Sequence, residues 1–377
     1  MKQEKDISEL YDYVEEVVLE LNAIIEQFEI DGEIVNIQNY GSGHINTTYR
    51  VKTTEDEYIL QKVNTNIFKN MEQLVENVAG VTAYLAQSIT ERGGNPKRET
   101  LQVIQTKDGQ NYYKGAGGFS YRMYYFITNA SCYDTVEKPE DFYESAVTFG
   151  KFQSLLATYP AETLHETIPD FHHTAKRFET FKRAVKQDVL GRAASAQREI
   201  DFVIKHACDM PVLTDMLEKG ELPLRVTHND TKLNNIMIDN TTGKGICILD
   251  LDTVMPGLSV NDFGDSIRFG ANTALEDETD LSKVSLDLKL YEVYVKGFLE
   301  GCQGILTENE LKMLPMGAKM MTLECGMRFL TDYLEGDTYF KTHREHHNLD
   351  RCRCQFALVD DMERKWDEMA AIVKKYC

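Results

Sequence analysis

The sequence predicts an α+β fold in two lobes, a small antiparallel-sheet lobe at residues 1–128 and a large, mainly helical lobe at residues 129–377. Three observations predict it. Short strand-forming runs crowd the first third of the chain. Helical periodicity dominates from about Cys132 onward. A polar, turn-rich hairpin interrupts the helical part at residues 228–250. At 377 residues and 42% hydrophobic content, the chain is long enough for two such cores.

Taken in order, residues 7–28 place Ile7, Leu10, Val14, Val17, Val18, Leu21, Ile24, Ile25 and Phe28 at helical spacing. A strand is predicted at 34–40, then the turn Gly41-Ser42-Gly43-His44, then a strand at 45–51. Another strand is predicted at 58–63, a helix at 71–87, and two more strands near 101–105 and 119–127. The crossing between lobes is expected at 125–129. No internal repeat or low-complexity linker is present.

Composition removes several function classes. Net charge is −20, from 61 acidic and 41 basic residues, which argues against a nucleic-acid surface and against binding to anionic membranes. No apolar run approaches the roughly 18–20 residues that span a bilayer. The start, Met1-Lys2-Gln3-Glu4-Lys5-Asp6, lacks the apolar core of a signal peptide. The 8 cysteines follow no disulfide framework, so reduced thiols and a cytoplasmic location are expected. Cys352 and Cys354, with His343, His346 and His347, match no zinc motif. No pattern calls for an obligate protein partner.

The chemistry gathers at His228-Asn229-Asp230-Thr231-Lys232-Leu233-Asn234-Asn235 and the Asp250 that follows Ile248-Leu249. Residues 236–239 and 245–249 read as the strands of a hairpin, and 240–244 as its turn. Asn235 and Asp250 then lie side by side at its open end, with Asp230 in the loop leading in. Two carboxylates and an amide oxygen can hold a hard cation such as Mg²⁺ and leave one carboxylate to act as a base. The pattern H-x-D-x-x-x-x-N, with a later strand-ending Asp, is that of the catalytic loop of kinase-like phosphotransferases.

On that reading Asp230 takes the proton of the attacking hydroxyl, and Asn235 and Asp250 hold Mg²⁺ against the phosphates of ATP. Lys232 balances charge on the transferring phosphoryl group, and His228 braces the loop. Asp262-Phe263-Gly264 spells the metal-binding tripeptide of protein kinases, but Asp250 already fills that role at the better spacing. Asp262 or Asp265 is expected to brace the loop or cap the following helix. Asp252 is either a second metal contact or a group behind it.

At the nucleotide end, Gly41, Ser42 and Gly43 form a hairpin tip whose backbone N–H groups can approach phosphate oxygens. Lys62 is the expected phosphate-steadying cation, oriented by Glu76 or Glu72, although Gln61 on the other face of the same strand leaves the register open. The adenine is expected against backbone groups of 124–127.

The catalytic hairpin resembles that of the aminoglycoside-phosphotransferase-like superfamily, a protein-kinase-like group of small-molecule kinases. Longer strings look like the N-acetylhexosamine 1-kinases: Tyr40-Gly41-Ser42-Gly43-His44-Ile45-Asn46, Glu166-Thr167-Ile168-Pro169-Asp170-Phe171-His172-His173-Thr174 and His228-Asn229-Asp230-Thr231-Lys232. So do Asp250-Leu251-Asp252-Thr253-Val254-Met255-Pro256-Gly257 and the stretch from Glu324 to Leu334.

The resemblance implies a bilobal kinase fold and transfer of the γ-phosphoryl of ATP to the anomeric hydroxyl of N-acetylglucosamine or N-acetylgalactosamine, with Asp230 as base. It also implies sugar contacts from Arg328, Tyr339 and His44. Arg328 offers a fixed fork of donors; its plain alternative is an i,i+4 ion pair with Asp332. The pair His172-His173 is expected to be structural. Two rival readings stand beside this one: a kinase for an amino alcohol such as choline or ethanolamine, and a catalytically inactive kinase-like binding protein.

Overall fold

The computed structural model describes residues 19–41, 46–65 and 68–377. It divides into two compact units, Met1–Asn129 and Ala130–Cys377. The expected helix at 7–28 is described only from residue 19, where a helical stretch runs to residue 25.

The first unit is built on an antiparallel sheet. Its strands are β1 (Ile34–Asn39), β2 (Thr47–Thr53), β3 (Glu57–Val63), β4 (Val103–Ile104), β5 (Tyr113–Lys114) and β6 (Ser120–Tyr125). They run β1-β2-β3-β6-β4, with β5 also on β6. Alternation sorts the side chains. Val51, Tyr58, Leu60, Tyr121 and Met123 point to one face and bury against Leu21, Ile24, Ile25 and Phe28 of the N-terminal segment.

Helix α1 (Met71–Glu91) starts where the Asn70 side chain accepts from the Gln73 N–H. It buries Leu74, Val78, Val81, Leu85 and Ile89 at helical spacing. The short strands β4 and β5 lack enough residues to show a period of their own, which is why β5 was not expected.

The second unit is helical around two small pieces of sheet. Strand β7 (Ala130–Ser131) joins the hairpin of β9 (Ile236–Asp239) and β10 (Gly245–Ile248), while β8 (Arg225–Thr227) pairs with β11 (Met255–Gly257). The helices are α2 (Pro139–Leu155), α3 (Thr174–Gln187), α4 (Gln197–Lys205), α5 (Val212–Glu218), α6 (Ser259–Gly270), α7 (Leu288–Cys302), α8 (Glu308–Glu335), α9 (His347–Arg364) and α10 (Trp366–Tyr376).

Helix α8 is the spine. Thr307 and Glu310 form a reciprocal capping box at its start, and Gly336, at φ 108°, ends it. Glu310 also accepts from Arg225 Nη2 at 2.7 Å and Ser259 Oγ at 2.6 Å, so one carboxylate ties the starts of β8, α6 and α8 together. Buried Arg–carboxylate pairs of this kind fix geometry more than they add stability.

The tripeptide Asp262-Phe263-Gly264 lies in α6 and serves packing. Phe263 is fully buried, with ring centroids of Tyr291, Tyr294 and Phe298 at 5.4–6.0 Å. A Cβ on Gly264 would come within 2.3 Å of the Gly317 carbonyl oxygen, so glycine lets α6 and α8 cross at backbone contact. No helix among the described residues is long and apolar enough to cross a membrane.

Candidate active site

The hairpin β9–β10 is in antiparallel register, with Gly245 opposite Ile238 and Ile248 opposite Ile236. The Leu249 N–H donates to the Asn235 carbonyl at 2.8 Å and carries the pairing one step past the strands. Asn235 and Asp250 therefore share the open end of the hairpin, as strand lengths and turn composition predicted. Asp250 takes a left-handed backbone, φ 52°, which starts the tight turn Leu251–Thr253. Asp252 sits in that turn and is buried.

The loop from His228 to Thr231 has no regular secondary structure, yet each of its backbone groups has a side-chain partner. Asp262 accepts from the His228 N–H at 2.9 Å and the Asn229 N–H at 2.8 Å. The Asp230 N–H donates to His228 Nδ1 at 3.2 Å, and the Thr231 N–H to Asp265 at 3.0 Å. Among the carbonyls, His228 accepts from Thr253 Oγ1 at 2.7 Å, Asp230 from Asn235 Nδ2 at 2.8 Å, and Thr231 from Ser266 Oγ at 2.7 Å. The Asn229 carbonyl meets His172 Nε2 at 3.4 Å. A buried loop needs this, because unsatisfied N–H and C=O groups cost as much as lost hydrogen bonds.

Asp262 and Asp265 are three residues apart on α6 and so face the loop together. Burial pushes the Asp262 carboxyl up, against the pull of the two loop N–H groups. Burial acts on Asp265 in the same direction, but the charges of Arg268 and Lys232 outweigh it and hold that carboxyl below its usual range. Arg268 reaches Asp265 through Nε and Nη2 at 3.0 and 2.9 Å.

His228 is fully buried, edge-on to Phe149 and Phe152. Its Nε2 donates to the Leu249 carbonyl at 2.8 Å while Nδ1 accepts from Asp230, which fixes the neutral Nε2–H tautomer and makes it a brace. Asn229, at φ 66°, adopts the left-handed turn that asparagine tolerates, and its Nδ2 donates to the Thr253 carbonyl at 2.8 Å.

Asp230 is thereby aimed by its backbone and clasped at its carboxylate. Lys232 Nζ stands 2.7 Å from Oδ1 and Asn235 Nδ2 3.2 Å from Oδ2. Burial would lower the Lys232 ammonium, but Asp230 and Asp265 raise it on balance and keep it charged. Because the Asn235 amide nitrogen is turned to Asp230, its Oδ1 is the atom left to offer a cation. With the Asp250 and Asp252 carboxylates nearby in sequence, the donors are hard oxygens of the kind Mg²⁺ takes.

Two of the three expected sugar contacts, Arg328 and Tyr339, lie on and beyond α8. Glu324 is buried, accepting from Thr174 Oγ1 at 2.6 Å and pairing with His172 Nδ1 at 2.8 Å. Burial would raise this carboxyl, but the bond and charge of His172 outweigh it and hold it below the usual range. One turn later, the Arg328 guanidinium stands 5.3–5.7 Å from the ring centroids of Phe171, Tyr339 and Phe340, with Nη2 3.4 Å from the Tyr339 hydroxyl. The ion pair with Asp332 does not form: Asp332 accepts instead from the N–H groups of Thr338, Tyr339 and Phe340 at 2.8–3.0 Å.

In the first unit, Gly41 has φ 79°, and Ser42, Gly43 and His44 lie outside the described residues. The expected pairing of Lys62 with Glu76 or Glu72 is not made. Lys62 shares a sheet face with Leu60 and Tyr58, and its ammonium stands 3.3 Å over the Phe119 ring. Gln61 faces the other way, its Oε1 accepting from Nε and Nη2 of buried Arg122 at 3.0 and 2.9 Å. In the segment expected to meet adenine, Phe126 lies edge-on to Tyr40 with Arg50 4.2 Å from its ring centroid.

None of the eight cysteines forms a disulfide. Among the described residues one group of three potential metal ligands comes together, His206, Asp209 and Glu363. Lys319 Nζ lies 2.8 Å from both carboxylates and supplies the positive charge there.

The family model for the phosphotransferase enzyme family (APH) matches residues 36–282, most of both units. The chain belongs to this family. Solved structures of similar fold include an aminoglycoside phosphotransferase from Alicyclobacillus acidocaldarius, with TM-score 0.60, 11% identity and 94% of this chain and 95% of that one covered. A choline kinase from Cryptosporidium parvum has TM-score 0.57 and 12% identity, over 92% of this chain and 94% of its own. An ethanolamine kinase from Plasmodium vivax has TM-score 0.52 and 12% identity, over 85% and 82%. The α+β arrangement, with a sheet-built N-terminal part and a helical C-terminal part, is thus that of the kinase-like phosphotransferases.

His172 and Glu324 were not singled out for any site role. Both lie in strings that resemble the N-acetylhexosamine 1-kinases, but no spacing rule joins residues 172, 229 and 324 before the chain is folded.

Proposed function

We propose that this phosphotransferase is a Mg-ATP-dependent kinase that phosphorylates the anomeric hydroxyl of an N-acetylhexosamine, with Asp230 as general base. The observation that carries the choice of acceptor is the Arg328 guanidinium among Phe171, Tyr339 and Phe340. Three aromatic rings would attract an ammonium group, but Arg328 already supplies the cation they hold. Arg177 adds to this positive end: burial lowers its guanidinium and the charge of Arg328 lowers it further. The buried carboxylate one turn before Arg328, Glu324, is engaged by His172 and Thr174. A choline or ethanolamine nitrogen would meet like charge there, whereas a neutral, hydroxyl-rich sugar gains donors and a ring to lie against.

The chemistry follows from the loop. An anomeric hydroxyl is more acidic than other sugar hydroxyls, so a carboxylate suffices to take its proton as the new O–P bond forms and the bond from the γ-phosphorus to the departing ADP breaks. Asp230 would accept it, held in line by Lys232 and Asn235. Lys232 would then turn its charge to the phosphoryl group in flight. Asn235 and Asp250, with Asp252 beside them, would hold Mg²⁺, which when bound neutralises the ATP phosphates. Gly41, Ser42 and Gly43 remain the proposed phosphate cradle, and His44 a proposed sugar contact. Lys62 remains the proposed phosphate-steadying cation.

The test is direct. The protein is incubated with Mg-ATP and a panel of N-acetylglucosamine, N-acetylgalactosamine, glucose, choline and ethanolamine. The phosphate is then located by phosphorus–proton NMR coupling. A phosphate on C1 of an N-acetylhexosamine is expected. Turnover of the amines alone would replace the acceptor, and ATP binding without turnover of any acceptor would revive the inactive binding protein.

A further inference from the structure

The partners of the catalytic loop backbone come, with one exception, from residues 228–266, the loop's own neighbourhood. The exception is His172. Its Nε2 faces the Asn229 carbonyl at 3.4 Å, on the residue just before Asp230, while its Nδ1 binds Glu324 of α8 at 2.8 Å. Glu324 lies one helical turn before Arg328, so both project from the same side of α8. Phe171, one of the rings against Arg328, directly precedes His172, and their two rings are 4.5 Å apart. Thr174 Oγ1, at the start of α3, holds the second oxygen of Glu324 at 2.6 Å.

We infer that His172 is a positioning residue that couples the acceptor end of α8 to the catalytic loop, so that a correctly seated acceptor sets Asp230. The inference rests on the acceptor reading of Arg328.

Two features argue for a working link over a plain brace. The contact to Asn229 is the longest of the loop's backbone contacts, beyond the usual N–H···O range, and so has room to tighten. The two atoms that His172 faces, a carboxylate oxygen and a carbonyl oxygen, are both acceptors. The imidazole is therefore engaged on both of its nitrogens, one toward α8 and one toward the loop. Any shift of Phe171 or Glu324 as an acceptor meets Arg328 moves the imidazole. The imidazole in turn moves the peptide that leads into Asp230.

The experiment uses the full chain with N-acetylglucosamine and Mg-ATP. His172→Phe keeps a ring and removes both nitrogens. It is expected to lower kcat about tenfold or more, since small misplacements of a reacting group are costly, with the KM for ATP unchanged. His172→Gln restores one donor and is expected to recover most of that loss. The double variant His172→Phe/Arg328→Ala is expected to lose less in kcat/KM for the sugar than the product of the single losses, as coupled residues do.

A kcat for His172→Phe within about twofold of the parent, well inside what misplacement costs, overturns the inference. So does a glutamine no better than phenylalanine, or losses that multiply. If His172→Phe fails to fold, Thr174→Val loosens Glu324 without touching the loop and must lower kcat in the same direction. A sugar KM that Arg328→Ala leaves unmoved overturns the acceptor reading instead, and the link with it.

Discussion

Two irregular segments flank the chemistry of the second unit, and both use the same device with different outcomes. In the loop from His228 to Thr231, buried Asp262 of α6 accepts from two consecutive backbone N–H groups. In the segment from Thr338 to Phe340, buried Asp332 of α8 accepts from three. The difference lies in what else holds each segment. The loop's carbonyls are also bound, and its residues are largely enclosed. On the second segment Tyr339 is 65% exposed, and its hydroxyl meets Arg328 only at 3.4 Å. The loop of the proposed base is thus held at each backbone group, with slack only at the His172 contact, whereas the proposed acceptor contacts are held at one edge and can adjust.

If that contrast is right, substitutions at the loop act on kcat and substitutions at the segment act on the acceptor KM. The largest effect is expected at the carboxylate itself. Asp230→Asn keeps the shape and the Asn235 contact but cannot take a proton. It should cost about 10³-fold in kcat while Mg-ATP affinity, read by calorimetry, stays near that of the parent. Wild-type-like turnover would remove Asp230 from the role of base.

Asp262→Ala comes next. It strands two buried N–H groups, each costing roughly 1–3 kcal/mol, so both thermal stability and kcat should fall together. A drop in the sugar KM alone, with kcat intact, would break the claim that the loop needs this pin. Arg328→Ala should follow, raising the sugar KM about tenfold or more, as loss of a charged hydrogen-bond donor does, and leaving the ATP KM alone. Equal shifts in both would make Arg328 a packing residue.

The sequence carried the loop better than the segment, for physical reasons. A hairpin and a fixed offset place Asn235 and Asp250 by local geometry alone, and the i,i+3 spacing of Asp262 and Asp265 makes them one face of a helix. These are short-range relations that a chain without coordinates already contains. Asp332 was weighed only as a helical neighbour of Arg328. Its bonds to residues 338–340 depend on how the chain doubles back after Gly336, which no periodicity reveals. His172 and Glu324 are joined across a large separation in sequence, so their link emerges only from the fold. The orientation of Lys62 turned on a single step of strand register, and a one-residue change flips the face. The β3–β6 pairing, Lys62 opposite Tyr121, sets it toward Phe119.

The smallest expected effect tests the adjustable side of the comparison most closely. Asp332→Ala frees three N–H groups, but the segment they belong to lies near solvent, so water can replace the carboxylate at modest cost. The chain from Gly336 to Phe340 should loosen, and Tyr339 with it. The sugar KM should rise about threefold to fivefold, roughly the 0.5–1.5 kcal/mol of a net hydrogen bond, with kcat within twofold of the parent. Asn348, which also donates to Asp332 at 2.8 Å, would lose a partner on α9, so a small fall in melting temperature is expected too. Should Asp332→Ala lower kcat as much as Asp262→Ala does, the two segments would be equally coupled to the base. The division between a fixed catalytic loop and a yielding acceptor side would then fail.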